Sequence, residues 1–397
     1  MHKPKIHLLC PPHMNILWND RKQVTDAYSN KMYLLCKKLM DEGHEVAFYG
    51  IEGNNCPCTE NIPYIPFEIW DRCHGSARTA EEMHNWDAGL DTYTHGRETF
   101  LKIITDNFKP NNGEVILSTF GDWASDLHNL PAPVIEWGIG YDHPFSTYKV
   151  FETYAWQHIQ YGKLGNRPHY DLWGPKWYDA VIPGYIEKTQ FKFQEKKDDY
   201  LLFIGRIMET KGIYIAIQLA KHLNKKLVVA GNGETDILKG HSHVEYFGCA
   251  NNDEKRELYA NASATLCMTQ YTEPFGNVHI ESMMSGTPVI TTDWGVYTET
   301  VPNGMVGYRG RVWEDHVYAA ENIGNINPQD CRNWAEANFT MEVVYPKFIK
   351  YFNRCSELAE NGNDWYSLSK DSSYPDRFHD YWLSYNSFMK NKENVHV

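Results

Sequence analysis

Apolar runs of strand length alternate with apolar residues at helical spacing along most of this chain. Residues 5–10 form the first run, which a proline pair ends, and residues 44–49 form the second. Between them, four apolar side chains recur at the 3.6-residue period of one helix face: Tyr28, Met32, Leu35 and Leu39. A strand, a helix capped near Thr25 or Asp26 and a second strand make a βαβ unit, so the pattern predicts a parallel sheet.

The alternation restarts after a polar segment at 187–199. Strand-like runs then enclose two helix patterns, with the runs at 200–205, 227–230, 244–247 and 264–268 and the helices at 212–223 and 253–260. Two consecutive βαβ systems predict an α/β protein with two doubly wound domains facing each other across a cleft, residues 1–186 and residues 187–340. We expect the last helix and the tail, about 341–397, to pack back on the first domain.

The composition narrows the classes of partner and compartment. The formal net charge of -13 is unsuited to a protein that must neutralise a nucleic-acid backbone or an anionic membrane. The nine cysteines form no CxxC pair, which favours reduced thiols over a metal or redox motif. No run approaches the roughly 20 apolar residues of a membrane span. We therefore expect a cytoplasmic protein without a transmembrane segment, for which nucleic acid is an unlikely partner.

Two glutamates, Glu273 and Glu281, flank a predicted helix start. Gly276 allows an unusual backbone turn, and residues 277–285 have helical character. The unpaired N–H groups of such a helix start suit a phosphate, so the carboxylates make sense if they bind hydroxyl groups of a ligand whose diphosphate the helix end holds. The alternative is an amphipathic helix with a solvated glutamate at each end.

A second candidate anion site lies where the strand at 200–205 hands over to the next helix. Arg206 offers planar fixed donors, and Lys211 offers a mobile point charge, so the two can neutralise a leaving diphosphate from two sides. The alternative is that both side chains simply face solvent.

The order of these motifs resembles one family. A strand ending in Gly205-Arg206, the Lys211-Gly212 step, the Gly231-Asn232-Gly233 loop, the VEYFG strand and the E-x7-E stretch occur in one compact order. This order resembles the C-terminal domain of retaining glycosyltransferase family 4, the glycosyl transferases group 1, which has the GT-B fold of two Rossmann-like domains.

The resemblance implies a role for each matching residue. Arg206 and Lys211 would contact the diphosphate of a nucleotide sugar, Glu281 the ribose hydroxyls and Glu273 the transferred sugar. Backbone N–H groups would hold sugar and phosphate, and the base would lie near the VEYFG strand; the residues concerned are Gly205, Phe247, Phe275, Gly276, Asn277 and Val278. The two cations can do the work of a metal, so neither a metal nor another cofactor is expected.

The first domain departs from the family pattern. Many members have a Gly-Gly loop after the first strand, where residues 12–15 stand here. His13 is a candidate donor at that place, and His143 is a candidate for a cleft histidine, although a histidine before proline is also a common structural residue. Asp122 could hold the acceptor or cap a helix. These departures leave the acceptor side open.

The sequence therefore predicts an enzyme, a retaining hexosyl- or pentosyltransferase. It would move a sugar from a nucleoside diphosphate sugar to an unknown carbohydrate or glycoconjugate acceptor, whether a glycan, a lipid or a small molecule. The alternatives are a GT-B nucleotide-sugar epimerase, a phosphorylase, or a catalytically silent module that binds sugar nucleotides.

Overall fold

The structure is a computed structural model that describes residues 3, 5–14, 27–75, 90–109, 113–164, 174–176 and 178–360. The chain divides into two compact units, each built round one parallel sheet. The first unit holds the described residues up to Gly184 and those from Val344 on, and the second holds those from Tyr185 to Val343. Residues 361–397, and the predicted helix cap at Thr25 or Asp26, lie outside the described residues.

The first unit has a seven-stranded sheet in the order β3-β2-β1-β4-β5-β6-β7. Its strands are β1 (Ile6–Leu9), β2 (Val46–Ile51), β3 (Glu60–Ile65), β4 (Val115–Ser118), β5 (Val134–Ile139), β6 (Tyr148–Phe151) and β7 (Ala180–Val181). Its helices are α1 (Ala27–Asp41), α2 (Phe67–His74), α3 (Asp91–Asn107) and α4 (Tyr154–Leu164). A 3-10 helix spans Asp122–Asn129. Central strands such as β1, β2, β4 and β5 are buried along their whole length, which explains their continuous apolar runs.

The second unit has a six-stranded sheet in the order β10-β9-β8-β11-β12-β13. Its strands are β8 (Tyr200–Ile204), β9 (Lys226–Ala230), β10 (Val244–Gly248), β11 (Ala264–Cys267), β12 (Val289–Thr292) and β13 (Gly307–Gly310). Its helices are α5 (Ile213–His222), α6 (Asn252–Asn261), α7 (Asn277–Met284), α8 (Tyr297–Thr300), α9 (Trp313–Asn322) and α10 (Pro328–Phe339). The last described helix, α11 (Met341–Glu360), begins in this unit and belongs from Val344 to the first.

Both sheets reverse their strand order beside the first strand of the unit. In the first unit this point lies between β1 and β4, and in the second it lies between β8 and β11. All the named pairs are parallel, so the carboxyl ends of these strands meet at one edge of each sheet. An open α/β sheet forms a ligand crevice at such a point. The loops after these four strands are therefore the candidate ligand-binding loops of the two units.

The predicted parallel sheets are confirmed, whereas several edge elements escaped prediction. Strand β3 lies at the sheet edge, is half exposed and contains Pro63, so it lacks the apolar run of a central strand. The sequence pattern indicates a helix near 97–108, where α3 lies, but α3 begins earlier, at Asp91. None of the helices in the described ranges is both long and apolar enough to cross a bilayer.

Candidate active site

The loops after β8 and β11 lie next to each other in the second unit. The loop after β8 carries Arg206 and Lys211, and the loop after β11 carries Glu273. The backbone N–H of Gln270 donates to the carbonyl of Thr210 at 2.7 Å, which ties the two loops together. The strand order thus brings together side chains that are far apart in the sequence.

The loops after β8 and β9 pack backbone against backbone. Gly231 has a φ of 140°, and a Cβ placed on it would lie 1.9 Å from the carbonyl oxygen of Gly205. Beyond it, the N–H of Ile207 donates to the carbonyl of Asn232 at 2.7 Å, and the N–H of Glu234 donates to the carbonyl of Ile207 at 2.8 Å. These contacts fix the start of the loop that carries the two cations.

Lys211 and Glu273 form an ion pair in this crevice. The Lys211 ammonium donates to Oε2 of Glu273, and the hydroxyls of Tyr271 and Thr269 donate to the same oxygen at 3.0 and 3.4 Å. Burial opposes the charge on Lys211, but the adjacent Glu273 outweighs it, so the pKa of Lys211 is raised. The Glu273 side chain is only 12% exposed, so the alternative of a solvated glutamate at this position is wrong.

Arg206 lies in the same loop as Lys211, just after β8, and is exposed. Within the described ranges, no carboxylate or carbonyl forms an ion pair or hydrogen bond with its guanidinium. An unpaired arginine in the loop that carries Lys211 is suited to an anionic ligand. A solvent-facing arginine would be placed in the same way, so its role stays a prediction.

Helix α7 starts beside the ion pair without a side-chain cap. Its N-cap, Gly276, has a φ of 69°, and a Cβ there would lie 2.8 Å from Cγ of Glu273. Phe275 is buried in the core, and Val278 packs partly against it, so both offer the crevice mainly their backbone. Asn277 has a buried Oδ1 without a hydrogen-bond partner among the described residues. The uncapped N–H groups of this helix start are therefore available for an anion.

His279, which the sequence reasoning did not single out, supports this helix start. Its Nε2 lies 2.8 Å from the Thr300 hydroxyl. Burial lowers the pKa of His279 to about 3, and a hydrogen bond with the Gly276 backbone opposes that shift only in part. The imidazole is therefore neutral and structural. The sequence signal that could have indicated this buried role is the position of the histidine between apolar residues of a predicted helix.

Glu281 lies inside α7, as predicted. Its Oε2 accepts a hydrogen bond from the hydroxyl of Tyr259 at 2.8 Å. Burial raises the pKa of Tyr259 well above its usual range, so this hydroxyl stays a donor at neutral pH. The carboxylate is thereby oriented by the protein, while its predicted contact with a ribose stays a prediction.

Phe247 is 40% exposed on β10. It lines a cavity of about 380 Å³ with Tyr200, Leu258, Asn261 and four carboxylates, Asp198, Asp253, Glu254 and Glu257. These carboxylates disfavour an anion in the cavity itself. The prediction that a nucleotide base lies near Phe247 is therefore compatible only with phosphates placed outside this cavity.

In the first unit, His13 lies after β1 within an aromatic cluster. Its Nδ1 lies 2.6 Å from the Tyr93 hydroxyl, its carbonyl accepts a hydrogen bond from Trp70 at 2.9 Å, and its ring centroid lies 4.6 Å from that of Phe120. These contacts hold the imidazole at the carboxyl edge of the sheet. They are consistent with a packing role as well as with the predicted role as a donor.

The other two candidates of this unit are exposed. Asp122 is the first residue of the 3-10 helix that follows β4. The N-cap of this helix is Gly121. The prediction that Asp122 caps a helix is therefore wrong, and its role as an acceptor ligand stays a prediction. His143 follows β5 with a φ of 61°, an uncommon backbone conformation for a residue with a side chain.

Glu136 is a fully buried carboxyl group on β5, near these candidates, that the sequence reasoning did not identify. It accepts hydrogen bonds from the backbone N–H groups of Phe145 and Ser146 at 2.7 and 3.1 Å, and from the Tyr141 hydroxyl at 2.9 Å. Burial raises its pKa to about 7, and the hydrogen bonds only partly oppose this shift. Glu136 thereby fixes the loop that contains His143.

We expect Glu136 to make the stability of the chain depend on pH. Its pKa is about 7 in the folded chain and about 4.5 when exposed, so the folded state binds the extra proton between these values. This contribution is present below about pH 4.5 and is lost as the pH rises through about 7. Glu136→Gln should remove about 2 kcal/mol of pH dependence between roughly pH 5 and pH 7.

Urea denaturation at several pH values would measure this slope. The exposed Glu98 of the same unit offers the control Glu98→Gln, which should keep the wild-type slope. An unchanged slope in Glu136→Gln would contradict the assignment.

Known proteins resemble this chain at two levels. The profile of the family described as "Glycosyl transferases group 1" matches residues 186–320. An uncharacterized glycosyltransferase of Methanocaldococcus jannaschii is 36% identical over 147 residues, which are 33% of this chain and 37% of that protein. The matched segment thus spans well under half the length of this relative.

Solved structures match over most of the chain. Sucrose-phosphate synthase from Thermosynechococcus elongatus superposes with a TM-score of 0.63 at 15% identity, covering 89% of this chain and 99% of that one. The Anabaena protein HepE, in complex with UDP and glucose, superposes with a TM-score of 0.59 at 12% identity, covering 89% and 100%. At these identities the likeness establishes the fold.

Proposed function

Residues 186–320 belong to the glycosyl transferases group 1 family, glycosyltransferase family 4, and from this premise we propose that the protein is a retaining glycosyltransferase. The chain has the GT-B fold, with two Rossmann-like parallel sheets. Its donor is a nucleoside diphosphate sugar, and its acceptor carries a hydroxyl group. The observation that carries this proposal is the pair of Lys211 and Glu273 at the uncapped start of α7, with the unpaired Arg206 in the same loop as Lys211.

The site suits a reaction in which a diphosphate departs from a sugar. Arg206 and Lys211 stabilise the negative charge that develops on the leaving phosphate, as preorganised cations do in other enzymes. The N–H groups at the start of α7 add further donors to the same phosphate. Glu273, a few ångströms from Lys211, favours positive charge at the anomeric carbon and accepts hydrogen bonds from the sugar hydroxyls.

The bond changes are those of a front-face displacement. The bond from the anomeric carbon to the phosphate oxygen breaks, and a bond to the acceptor oxygen forms on the same face. The acceptor proton passes to the departing phosphate oxygen, so no nucleophile of the enzyme is required. The charge on the phosphate is then the main feature that the protein must stabilise.

We assign the donor to the second unit and the acceptor to the first. His13, Asp122 and His143 follow β1, β4 and β5 at the carboxyl edge of the first sheet, where such a fold binds ligands. The first unit is then the acceptor domain and the second the donor domain, with α11 mostly in the acceptor domain.

Glu281 should recognise the ribose hydroxyls of the donor. A charged hydrogen bond to the 2′-hydroxyl should make the wild-type chain bind a ribonucleoside diphosphate about tenfold more tightly than its 2′-deoxy form. Glu281→Gln should reduce this preference to about twofold, since a neutral amide makes a weaker hydrogen bond. Calorimetric titration with UDP, GDP, ADP and their 2′-deoxy forms would measure both ratios. Glu314→Gln, at an exposed position of the same unit, should keep the preference; if Glu281→Gln keeps it as well, the ribose assignment fails.

Turnover assays test the proposed activity. The chain would be incubated with UDP, GDP and ADP sugars and a panel of hydroxyl acceptors, and release of free nucleoside diphosphate would be followed. Release that depends on the acceptor, with the anomeric configuration retained by NMR, supports the proposal. Release of the diphosphate without an acceptor, or conversion of the donor into its epimer, would indicate an epimerase. Release that depends on inorganic phosphate would indicate a phosphorylase, and binding without any turnover would indicate a silent module.

A further inference from the structure

Three groups of the donor site share one carboxylate oxygen. Oε2 of Glu273 accepts from the Lys211 ammonium and from the hydroxyls of Tyr271 and Thr269, at 3.0 and 3.4 Å. The Lys211 ammonium also lies over the Tyr271 ring, 5.0 Å from its centroid. Lys211 therefore contacts both the acidic and the aromatic member of this group.

Lys211 carries one positive charge, so it cannot fully compensate the charges of both Glu273 and a diphosphate. If it turns to the donor phosphate, as in the proposed function, Glu273 loses its cation while its side chain remains only 12% exposed. An uncompensated carboxylate in such a place is costly. Some other donor must therefore stay with Glu273 in the donor complex.

Tyr271 is held so that it can stay. Its carbonyl accepts a hydrogen bond from the indole of Trp294 at 3.3 Å. The loop after β12 abuts the next residue of the chain, because a Cβ on Gly295 would lie 3.0 Å from a methyl carbon of Thr272. Burial raises the pKa of Tyr271, so its hydroxyl keeps the proton that it donates. None of these backbone contacts depends on Lys211.

We propose that Tyr271 is a positioning residue that retains Glu273 in place while Lys211 exchanges this carboxylate for the diphosphate of the donor. The proposal rests on the proposed function, because it requires a diphosphate at Lys211. The residue that keeps Glu273 in place, and the loops after β11 and β12 that hold it, thus lie outside the motifs at 206–211 and 273–281.

The proposal distinguishes a nucleoside diphosphate from the intact nucleotide sugar. With the diphosphate alone, two hydroxyls are left to compensate Glu273, and that of Tyr271, at 3.0 Å, is closer than that of Thr269, at 3.4 Å. With the intact donor, the sugar hydroxyls also donate to Glu273. Loss of the Tyr271 hydroxyl should therefore weaken binding of the diphosphate more than binding of the nucleotide sugar.

Calorimetric titration of Tyr271→Phe tests this inference. We expect the affinity for the best ligand among UDP, GDP and ADP to fall about tenfold, and the affinity for the corresponding nucleotide glucose to fall less. Tyr318→Phe removes a hydroxyl from a 58% exposed tyrosine of the same unit and should change neither. Thermal melting without ligand would show that both variants are folded.

A double-mutant cycle with Glu273→Gln identifies the path of the effect. A neutral glutamine does not need the compensation, so adding Tyr271→Phe to this variant should change the diphosphate affinity by less than about twofold. A tenfold loss in both backgrounds would overturn the proposal, since the ring would then act without Glu273. Wild-type affinity in Tyr271→Phe would overturn it while leaving the donor site intact. If the wild-type chain binds none of the three diphosphates, the donor site is refuted, and the inference with it.

Discussion

Arg206→Ala and Lys211→Ala should each lower kcat by roughly 30- to 1000-fold, which corresponds to about 2 to 4 kcal/mol of barrier. The reason is that each removes one of the two cations that, in the proposed reaction, stabilise the departing diphosphate. Arg206→Ala is the cleaner test. Among the described residues no acidic group pairs with Arg206, whereas removing Lys211 also leaves Glu273 without its cation.

Steady-state kinetics with the donor found by screening would measure this loss. Lys221→Ala removes an exposed lysine from the last turn of α5 and should leave kcat unchanged. Lys211→Arg keeps the charge and should restore part of the lost rate. Normal turnover by both alanine variants would contradict the assignment of the donor site.

Gly231→Ala should lower the free energy of unfolding by about 3 kcal/mol or more. The added methyl group would lie 1.9 Å from the carbonyl oxygen of Gly205, so the backbone of one of the two loops must move. Because these loops lead into the donor site, donor binding should weaken as well. Urea denaturation followed by circular dichroism would measure the change in stability.

Gly240→Ala is the matched control for this substitution. Gly240 also has a positive φ, 80°, but a Cβ there would meet nothing within 4 Å. It should therefore show the cost of the backbone conformation alone, about 1 kcal/mol. Equal losses in the two variants would mean that the contact with Gly205 does not matter.

The candidate donor residues could be named from the sequence because their signals are local. Gly276 before a helix and Arg206 at a strand end are recognisable within a few residues, and their order along the chain identified the family. The acceptor half was not predictable to the same degree. His13 stands where many family members have a glycine loop, and its contacts with Tyr93, Trp70 and Phe120 come from three separate segments.

Two groups beside the candidate residues escaped prediction for the same reason. Glu136 stands in an apolar strand, and its raised pKa results from burial beneath a loop that returns to donate hydrogen bonds from Phe145 and Ser146. His279 stands in a short helix, and its partner Thr300 lies 21 residues further on. Burial and partners of this kind are properties of the packed structure.

The sequence by itself determined the alternation of strands and helices, the parallel sheets and the candidates for the donor site, because periodicity, glycine turns and motif order act over short distances. Only the tertiary structure decided that Lys211 and Glu273, 62 residues apart, are partners in the free protein. Sequence reasoning had given one to the phosphate and the other to the sugar. They meet because β8 and β11 are neighbours in the sheet, whereas Tyr271 reaches the Glu273 carboxylate from two residues away in the same loop.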